Sequence, residues 1–143
     1  MAYIHKENVH YFPETGSTME VAREMAECGC PDLTVVVAGV QTKGRGRMDR
    51  AWLSDEGGLY FTMVTRPNLS PVDGFKVNFM ASMALVKTVR RLCEIDVTVK
   101  WPNDILAGDK KLSGMLSEMG ASEDTLNYVN VGIGVNVNND PTD

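Results

Sequence analysis

The stretch "NYVNVGIGVNVN", Asn127 to Asn138, has the most regular pattern in this 143-residue chain. Its odd-numbered positions are mostly branched apolar residues, whereas its even-numbered positions are tyrosine, asparagine and glycine. Because successive side chains of a strand point to opposite faces, the alternation predicts a β-strand with one packed face and one small, polar face. Glycine weakens a strand, so Gly132 and Gly134 indicate that another group approaches the backbone closely. A ligand lying on the sheet would explain them.

Around this strand, the sequence predicts further strands and two helices. Runs of β-branched or alternating residues predict strands at 34–40, 59–66, 97–101, 105–107 and 112–119. Ser17, with Glu20 three positions on, predicts a helix start, and Gly29 predicts its end. A second helix is predicted from Asp73 to Leu92, with Phe79, Met80, Met83, Val86 and Val89 facing inward.

This order of elements predicts an α+β fold with a mixed, largely antiparallel sheet and helices packed on one side. Strands come first, then a long helix, then consecutive hairpins. That order differs from the strict strand–helix alternation of doubly wound nucleotide-binding folds.

The composition excludes several classes of protein. The chain is 43% hydrophobic and 23% charged, which is typical of a globular domain, and its net charge of −5 argues against a surface that binds nucleic acid. Three cysteines without a CxxC pair, and two histidines, give no zinc-ligand spacing. No apolar run approaches the roughly 20 residues that span a bilayer. We therefore expect a cytoplasmic protein without a membrane role, in which any anion site is local.

The stretch "QTKGRGRMDRAW", Gln41 to Trp52, is a candidate for such a site. Gly44 and Gly46 can adopt backbone angles closed to other residues, while Arg45, Arg47 and Arg50 offer forked donors for carboxylate or phosphate. The arginines repel one another, so we expect the loop to be mobile until an anion binds. A solvated surface loop is the alternative on spacing alone.

Three other short stretches carry candidate chemistry. In "KWPNDI" (100–105), Asn103 and Asp104 could hold a metal ion or a sugar hydroxyl, or simply cap a strand end. In "KKLSGML" (110–116), Lys111 stands beside Leu112, and Gly114 leaves room at the neighbouring position of the strand, although a lysine pair is usually solvated surface. Ser17 and Thr18 are typical helix caps, although a spare hydroxyl could bind a polar small molecule.

Taken together and in order, "GSTM" (16–19), "QTKGRGRMDRAW", "KWPNDI", "KKLSGML" and "VGIGVNV" (131–137) resemble the catalytic domain of biotin protein ligases. The resemblance implies a fold like that of class II aminoacyl-tRNA synthetases and of the biotin and lipoate ligases. It also implies that biotin is activated with ATP and Mg²⁺ to biotinyl-5′-AMP. The biotinyl group then passes to a lysine of a biotin carboxyl carrier protein.

The resemblance also implies roles for individual residues. Lys111, Arg45 and Arg47 would be catalytic. The implied biotin-binding residues are Ser17, Thr18, Met19, Gln41, Arg45, Gly46, Arg47, Lys111, Gly114 and Leu116. The implied ATP-binding residues are Arg47, Arg50, Trp52, Asn103, Asp104, Gly132 and Asn136. Asp104 would also face the metal ion.

The sequence departs from the family pattern at two positions. Met19 stands where asparagine is common, and Asp49, inside the basic loop, stands where glycine is common. We expect residues 1–143 to form an incomplete catalytic core without an N-terminal DNA-binding domain or a C-terminal β-barrel. Regulation of transcription is accordingly not expected, and the family suggests a homodimer.

Three other functions remain open at this point. A lipoate or octanoate ligase or transferase would share the fold, although the Arg-Arg-x-Ser-Gly-Gly-Gly loop of lipoate ligases is absent. A nucleic-acid-binding module could use the Gly/Arg loop, but the acidic net charge argues against it. A non-catalytic fragment that only binds biotin is the third.

Overall fold

The computed structural model describes residues 4–141, which contain a seven-stranded sheet and two α-helices. The strands are β1 (Val9–Thr15), β2 (Thr34–Gln41), β3 (Leu59–Thr65), β4 (Thr98–Lys100), β5 (Asp104–Ala107), β6 (Lys110–Ser122) and β7 (Thr125–Val135). The helices are α1 (Thr18–Glu27) and α2 (Phe75–Cys93), and short 3-10 turns cover Lys6–Asn8 and Pro71–Asp73. None of the helices within residues 4–141 is long and apolar enough to cross a membrane.

The sheet is mixed and largely antiparallel, in the order β1-β2-β3-β7-β6-β5-β4. Only β1 and β2 run parallel among its neighbouring pairs. The α+β prediction is therefore confirmed. The sequence did not predict β1, because this edge strand contains Pro13 and lacks an apolar alternation.

Strand β7, the stretch quoted at the outset, lies at the centre of the sheet between β3 and β6. Gly132 stands opposite Thr62 on one side and Leu116 on the other. From Val129 to Val135 both faces of the strand are buried. The strand ends at Val135, three residues before the predicted end.

The two helices lie on opposite faces of the sheet, so the prediction that they pack on one side was wrong. Helix α1 places Ala22 and Ala26 against Val36 and Val64. Helix α2 packs instead on the face that carries the odd-numbered apolar residues of β7, including Val131. Both faces of the central strands are therefore covered. The apolar stripe of a helix indicates that the helix packs on the sheet, but not on which face of the sheet.

The inward face of α2 was only partly predicted. Val86 and Val89 are buried, but Phe79, Met80 and Met83 are 50%, 60% and 41% exposed. The stripe that contacts the sheet also contains Val77 and Ser82. Because α2 carries apolar residues on more than one stripe, periodicity alone does not identify the stripe that faces the sheet.

Helix α1 begins and ends where its caps predict. The Ser17 hydroxyl accepts a hydrogen bond from the Met19 amide at 3.3 Å, which satisfies a free N–H of the first turn. After Glu27 the chain turns through Gly29, whose φ of +82° is the left-handed conformation that glycine adopts without strain. The position of Ser17 and Thr18 over the sheet is fixed in this way.

Arg66, which follows β3, ties the end of α1 to the sheet. Its guanidinium donates to the carbonyl oxygens of Ala26 at 2.8 Å, Cys30 at 3.0 Å and Asn127 at 3.1 Å. A cation at a helix C-terminus also interacts favourably with the helix dipole. This role was not predictable from the sequence, because the three carbonyls meet only in the folded chain.

We predict that Arg66→Ala lowers the free energy of unfolding by about 1–3 kcal/mol, because the carbonyls of Ala26, Cys30 and Asn127 lose a charged donor and, within the described residues, only that of Ala26 keeps another donor, the Gly29 amide. Urea unfolding followed by circular dichroism measures the change. Arg91→Ala is the matched control, because Arg91 lies exposed in the last turn of α2 and should leave stability nearly unchanged. Equal stability of the Arg66 variant and the unaltered chain would contradict the prediction.

Candidate active site

Two adjoining cavities lie on the α1 side of the sheet, and Lys111 and Trp52 line both. The first is lined by Ser17, Thr18, Met19, Gln41, Arg45, Gly46, Arg47, Trp52, Asn103, Lys111, Gly114, Met115, Leu116, Gly132, Ile133 and Gly134. The second is lined by Gly46, Arg47, Met48, Arg50, Ala51, Trp52, Asn103, Asp104 and Lys111.

A network of hydrogen bonds builds a polar end for the first cavity. The backbone amide and hydroxyl of Thr18 both donate to Gln41 Oε1, at 2.8 and 3.0 Å. The Thr18 hydroxyl also lies 2.8 Å from that of Thr62, and Gln41 Nε2 donates to Ser54 Oγ at 2.9 Å. These bonds hold Gln41 and Thr18 rigidly at the start of α1. The cavity therefore presents fixed polar groups to whatever occupies it.

The glycine face of β7 forms the floor of the first cavity, as its alternation predicts. A Cβ atom on Gly132 would lie 2.7 Å from Met19 Sδ, and one on Gly134 would overlap the Trp52 indole. Trp52 packs equally closely on Gly114 of β6. In this structure, therefore, the groups that approach the strand backbone are protein side chains. The Trp52 Nε1 is buried and has no hydrogen-bond partner among the described residues.

The cations of the site are held by acceptors within the protein. Arg45 pairs with Glu118 at 3.0 Å, and Lys111 pairs with Asp104 at 3.0 Å. Arg47 donates to Asn103 Oδ1 at 2.7 Å. Partly exposed pairs of this kind contribute little stability, so an incoming anion can replace the internal acceptor at small cost.

Arg45 and Arg47 each have an acceptor within the protein, which offsets part of their mutual repulsion. The loop is also closed by backbone bonds, including Gly46 N to Arg50 O at 2.7 Å and Trp52 N to Gly44 O at 2.9 Å. Its mobility before an anion binds stays a prediction.

The left-handed residues of the loop are Met48 and Asp49, at φ +56° and +58°, and not the glycines at 44 and 46. The prediction about glycine angles was therefore wrong. Gly44 is required for another reason, since a Cβ there would overlap the Trp52 carbonyl oxygen. Asp49, the departure from the family pattern, occupies a conformation that glycine adopts without strain.

The "WPND" turn attaches to β6 through Asn103. The Met115 amide donates to the Asn103 carbonyl at 2.9 Å, and Asn103 Nδ2 donates to the Met115 carbonyl at 3.2 Å. Asp104 Oδ1 receives Lys111 Nζ and lies 3.3 Å from Asn103 Nδ2. Lys111 Nζ also lies 5.2 Å from the centre of the Trp52 ring, within cation–π range. The Lys111 ammonium thus lies between a carboxylate from this turn and an indole from the basic loop.

The structure brings together most of the residues singled out from the sequence. All of those assigned to biotin line the first cavity. Of those assigned to ATP, five line the second: Arg47, Arg50, Trp52, Asn103 and Asp104. Gly132 lies instead in the first cavity beside Met19, and Asn136 lines neither. The side-chain amide of Asn136 donates to the Lys111 carbonyl at 3.1 Å, so Asn136 positions the backbone of the lysine.

Several residues of the site were missed. Thr62 and Ser54 complete the polar network, and Glu118 holds Arg45. Glu118 could have been found, because it shares a strand face with Gly114 and Leu116 in the alternation of β6. Within residues 4–141, no cluster of three histidine, cysteine or carboxylate side chains could hold a metal ion.

Such a fold and site define an enzyme-like ligand pocket that is lined by fixed polar groups and by cations. Comparison with known families agrees, since the model of the Biotin/lipoate A/B protein ligase family matches residues 11–136. The chain belongs to this family.

Individual relatives are similar over most of the chain. The bifunctional ligase/repressor BirA of Bacillus subtilis is 41% identical over 134 residues, which are 93% of this chain and 41% of that protein. The biotin--[acetyl-CoA-carboxylase] ligase of Paracoccus denitrificans is 34% identical over 125 residues, 86% of this chain and 52% of that protein. The chain therefore spans about half or less of the length of these relatives.

Solved structures show the same architecture. The biotin protein ligase of Leishmania major in complex with biotin superposes with a TM-score of 0.78 at 31% identity, over 94% of this chain and 58% of that one. The biotin protein ligase of Aquifex aeolicus in complex with biotin and ATP gives a TM-score of 0.72 at 34% identity, over 95% and 56%.

We predict that Gly134→Ala expels the Trp52 indole from the glycine face, because the added methyl group would occupy its position. In a Trp101→Phe background, which leaves Trp52 as the sole tryptophan, the fluorescence emission should shift to longer wavelength as the indole becomes hydrated. Gly16→Ala is the control, since a Cβ there lies 3.5 Å from its nearest neighbour, in ordinary contact. An unchanged emission maximum for Gly134→Ala would refute the packing.

Proposed function

We propose that this chain carries the ligand-binding and adenylate-forming core of a biotin protein ligase. Biotin occupies the first cavity and ATP the second, and the two are joined as biotinyl-5′-AMP with release of pyrophosphate. The observation that carries the proposal is the meeting of both cavities at Lys111, with Arg47 lining both as well. An anion from each cavity can therefore reach the same cations.

The chemistry that such a site must perform is chiefly electrostatic. A carboxylate is already a nucleophile at neutral pH, so no serine, cysteine or histidine base is required. Its oxygen attacks the α-phosphorus, a new P–O bond forms, and the bond from the α-phosphorus to the pyrophosphate oxygen breaks. Lys111, Arg45 and Arg47 neutralise the two anions and stabilise the charge that develops on the phosphoryl oxygens.

The second half of the reaction would transfer the biotinyl group to a lysine of a biotin carboxyl carrier domain. The lysine amine attacks the acyl carbon, AMP leaves, and the amine loses a proton. Support for this acceptor comes from the Paracoccus denitrificans relative, whose name specifies acetyl-CoA carboxylase. A homodimer and a cytoplasmic location also belong to the proposal, by resemblance to the family.

Asp104 would provide the protein ligand for Mg²⁺. It is the only carboxylate among the described residues that line the second cavity, and it is paired with Lys111. Mg²⁺ usually binds one or two carboxylates together with substrate phosphates and water, so one carboxylate fits this ion. When bound, Mg²⁺ would neutralise phosphate charge.

The polar end of the first cavity favours biotin over lipoate. Thr18, Gln41 and Ser17 supply hydroxyl and amide groups at one end, and the cyclic urea of biotin has both donors and an acceptor. The dithiolane ring of lipoate has neither, so it would gain no hydrogen bonds from these groups. A lipoate or octanoate ligase is therefore the second candidate.

We predict that the chain binds biotin more tightly than lipoate by at least roughly tenfold, which corresponds to about 1.4 kcal/mol. Isothermal titration calorimetry with each acid measures the two affinities. Tighter binding of lipoate would reverse the assignment. Biotin binding without release of pyrophosphate would identify a non-catalytic binding fragment.

We further predict that Lys111→Ala lowers the rate of pyrophosphate release from biotin, ATP and Mg²⁺ by roughly 100-fold, the usual scale for the loss of one stabilising donor. The matched control is Lys110→Ala, since the neighbouring lysine is exposed and lines neither cavity. A coupled phosphate assay after pyrophosphatase follows both variants. Unchanged release by Lys111→Ala would remove the lysine from the mechanism.

A further inference from the structure

Asn130, on β7, is a buried amide without a hydrogen-bond partner. The residue is 0% exposed, and neither Oδ1 nor Nδ2 has a partner within the described part of the chain. A buried amide without partners destabilises the fold, and an apolar side chain of the same shape would avoid that cost. An unpaired group of this kind points to a partner that arrives from outside the protein.

The position of Asn130 in the sheet excludes its lateral neighbours as partners. Val64 on β3 and Glu118 on β6 stand directly opposite Asn130. Val64 is apolar, and the Glu118 carboxylate is bound to Arg45. The same face of β7 continues to Gly132, one pleat along the strand and about 7 Å away, and Gly132 lines the first cavity.

Met19 covers the glycine surface between Asn130 and the cavity. Its side chain is 4% exposed, and a Cβ on Gly132 would lie 2.7 Å from its Sδ and 3.0 Å from its Cγ. Methionine is unbranched and has several rotatable bonds, so its side chain can repack without moving the helix. Gly132 has no side chain of its own, so movement of Met19 opens the space above the strand.

We infer that Asn130 is a specificity-determining residue for the ring of the bound acid and that Met19 is its movable cover. When a ring occupies the first cavity, Met19 leaves Gly132. The Asn130 amide then bonds to the polar atoms of the ring across the vacated space, directly or through one water molecule. An amide both donates and accepts, as a cyclic urea does, whereas a dithiolane ring offers no matching partner. This inference rests on the proposed function of the chain.

The test is the affinity for biotin, measured by calorimetry, of Asn130→Leu, which keeps the approximate shape of the side chain and removes its polar atoms. We expect binding to weaken at least tenfold while the midpoint of thermal unfolding stays equal or rises, because a buried unpaired amide is removed. Asn127→Leu, at an exposed position of the same strand, is the matched control and should bind normally. Met19→Ala should bind biotin more tightly than the unaltered chain, because the cover no longer has to be displaced, and weaker binding would contradict its role as a cover.

Unchanged affinity of Asn130→Leu would overturn the inference and leave the proposed function intact. An equal loss in Asn127→Leu would also overturn it, because the effect would then reflect a general disturbance of β7. If Asn130→Leu fails to fold, Asn130→Ala replaces it. Alanine has no polar side-chain atom, so the same loss is expected, and normal binding again refutes the inference. Absence of biotin binding by the unaltered chain would overturn both proposals.

Discussion

Close access to the backbone of β7 is the constraint on which the site depends. The strand is fixed on both sides by hydrogen bonds to β3 and β6, so it cannot withdraw from groups that approach it. At Gly132 and Gly134 the missing side chains leave room for Met19 and Trp52 to touch the strand. Any larger residue would displace one of them. The positions of Met19, at the start of α1, and of Trp52, at the end of the basic loop, therefore depend on glycine at 132 and 134.

The second organising feature is a local concentration of positive charge in an acidic chain. Arg45, Arg47 and Lys111 converge from the basic loop and from β6, although the net charge is −5. Glu118, Asn103 and Asp104 occupy their donors, so the cations do not force one another apart. These contacts are partly exposed and therefore exchangeable. The protein holds its cations in place before a ligand arrives and can release them to it.

The two faces of the sheet carry different features. The face under α2 is an apolar cluster built from β4 to β7, and it fixes the strands. The opposite face carries α1, the glycines, both cavities and the buried amide of Asn130. The candidate site thus lies on one face and the larger apolar cluster on the other, so Asn130 can remain unpaired in a sheet that the opposite face also stabilises.

By itself, the sequence predicted most of the elements and singled out most of the residues that line the two cavities. Alternation predicted β7, the cap residues predicted α1, and the residue types of short polar stretches singled out Arg47 and Asn103, because these signals are local. Lys111 was singled out by the resemblance to biotin protein ligases. Packing between distant segments decides the remaining features. These are the stripe of α2 that contacts the sheet, the edge strand β1 and the face of the sheet that each helix covers. Only the tertiary structure could place them.

The same division holds for the site. Sequence identified its cations, but only the fold showed that Glu118 and Asp104 hold two of them, that Met19 and Trp52 lie on the glycines, and that Asn130 is buried without a partner. The sequence specifies the type of each residue. Its partner depends on strand register and helix placement, because these bring together positions that are far apart in sequence.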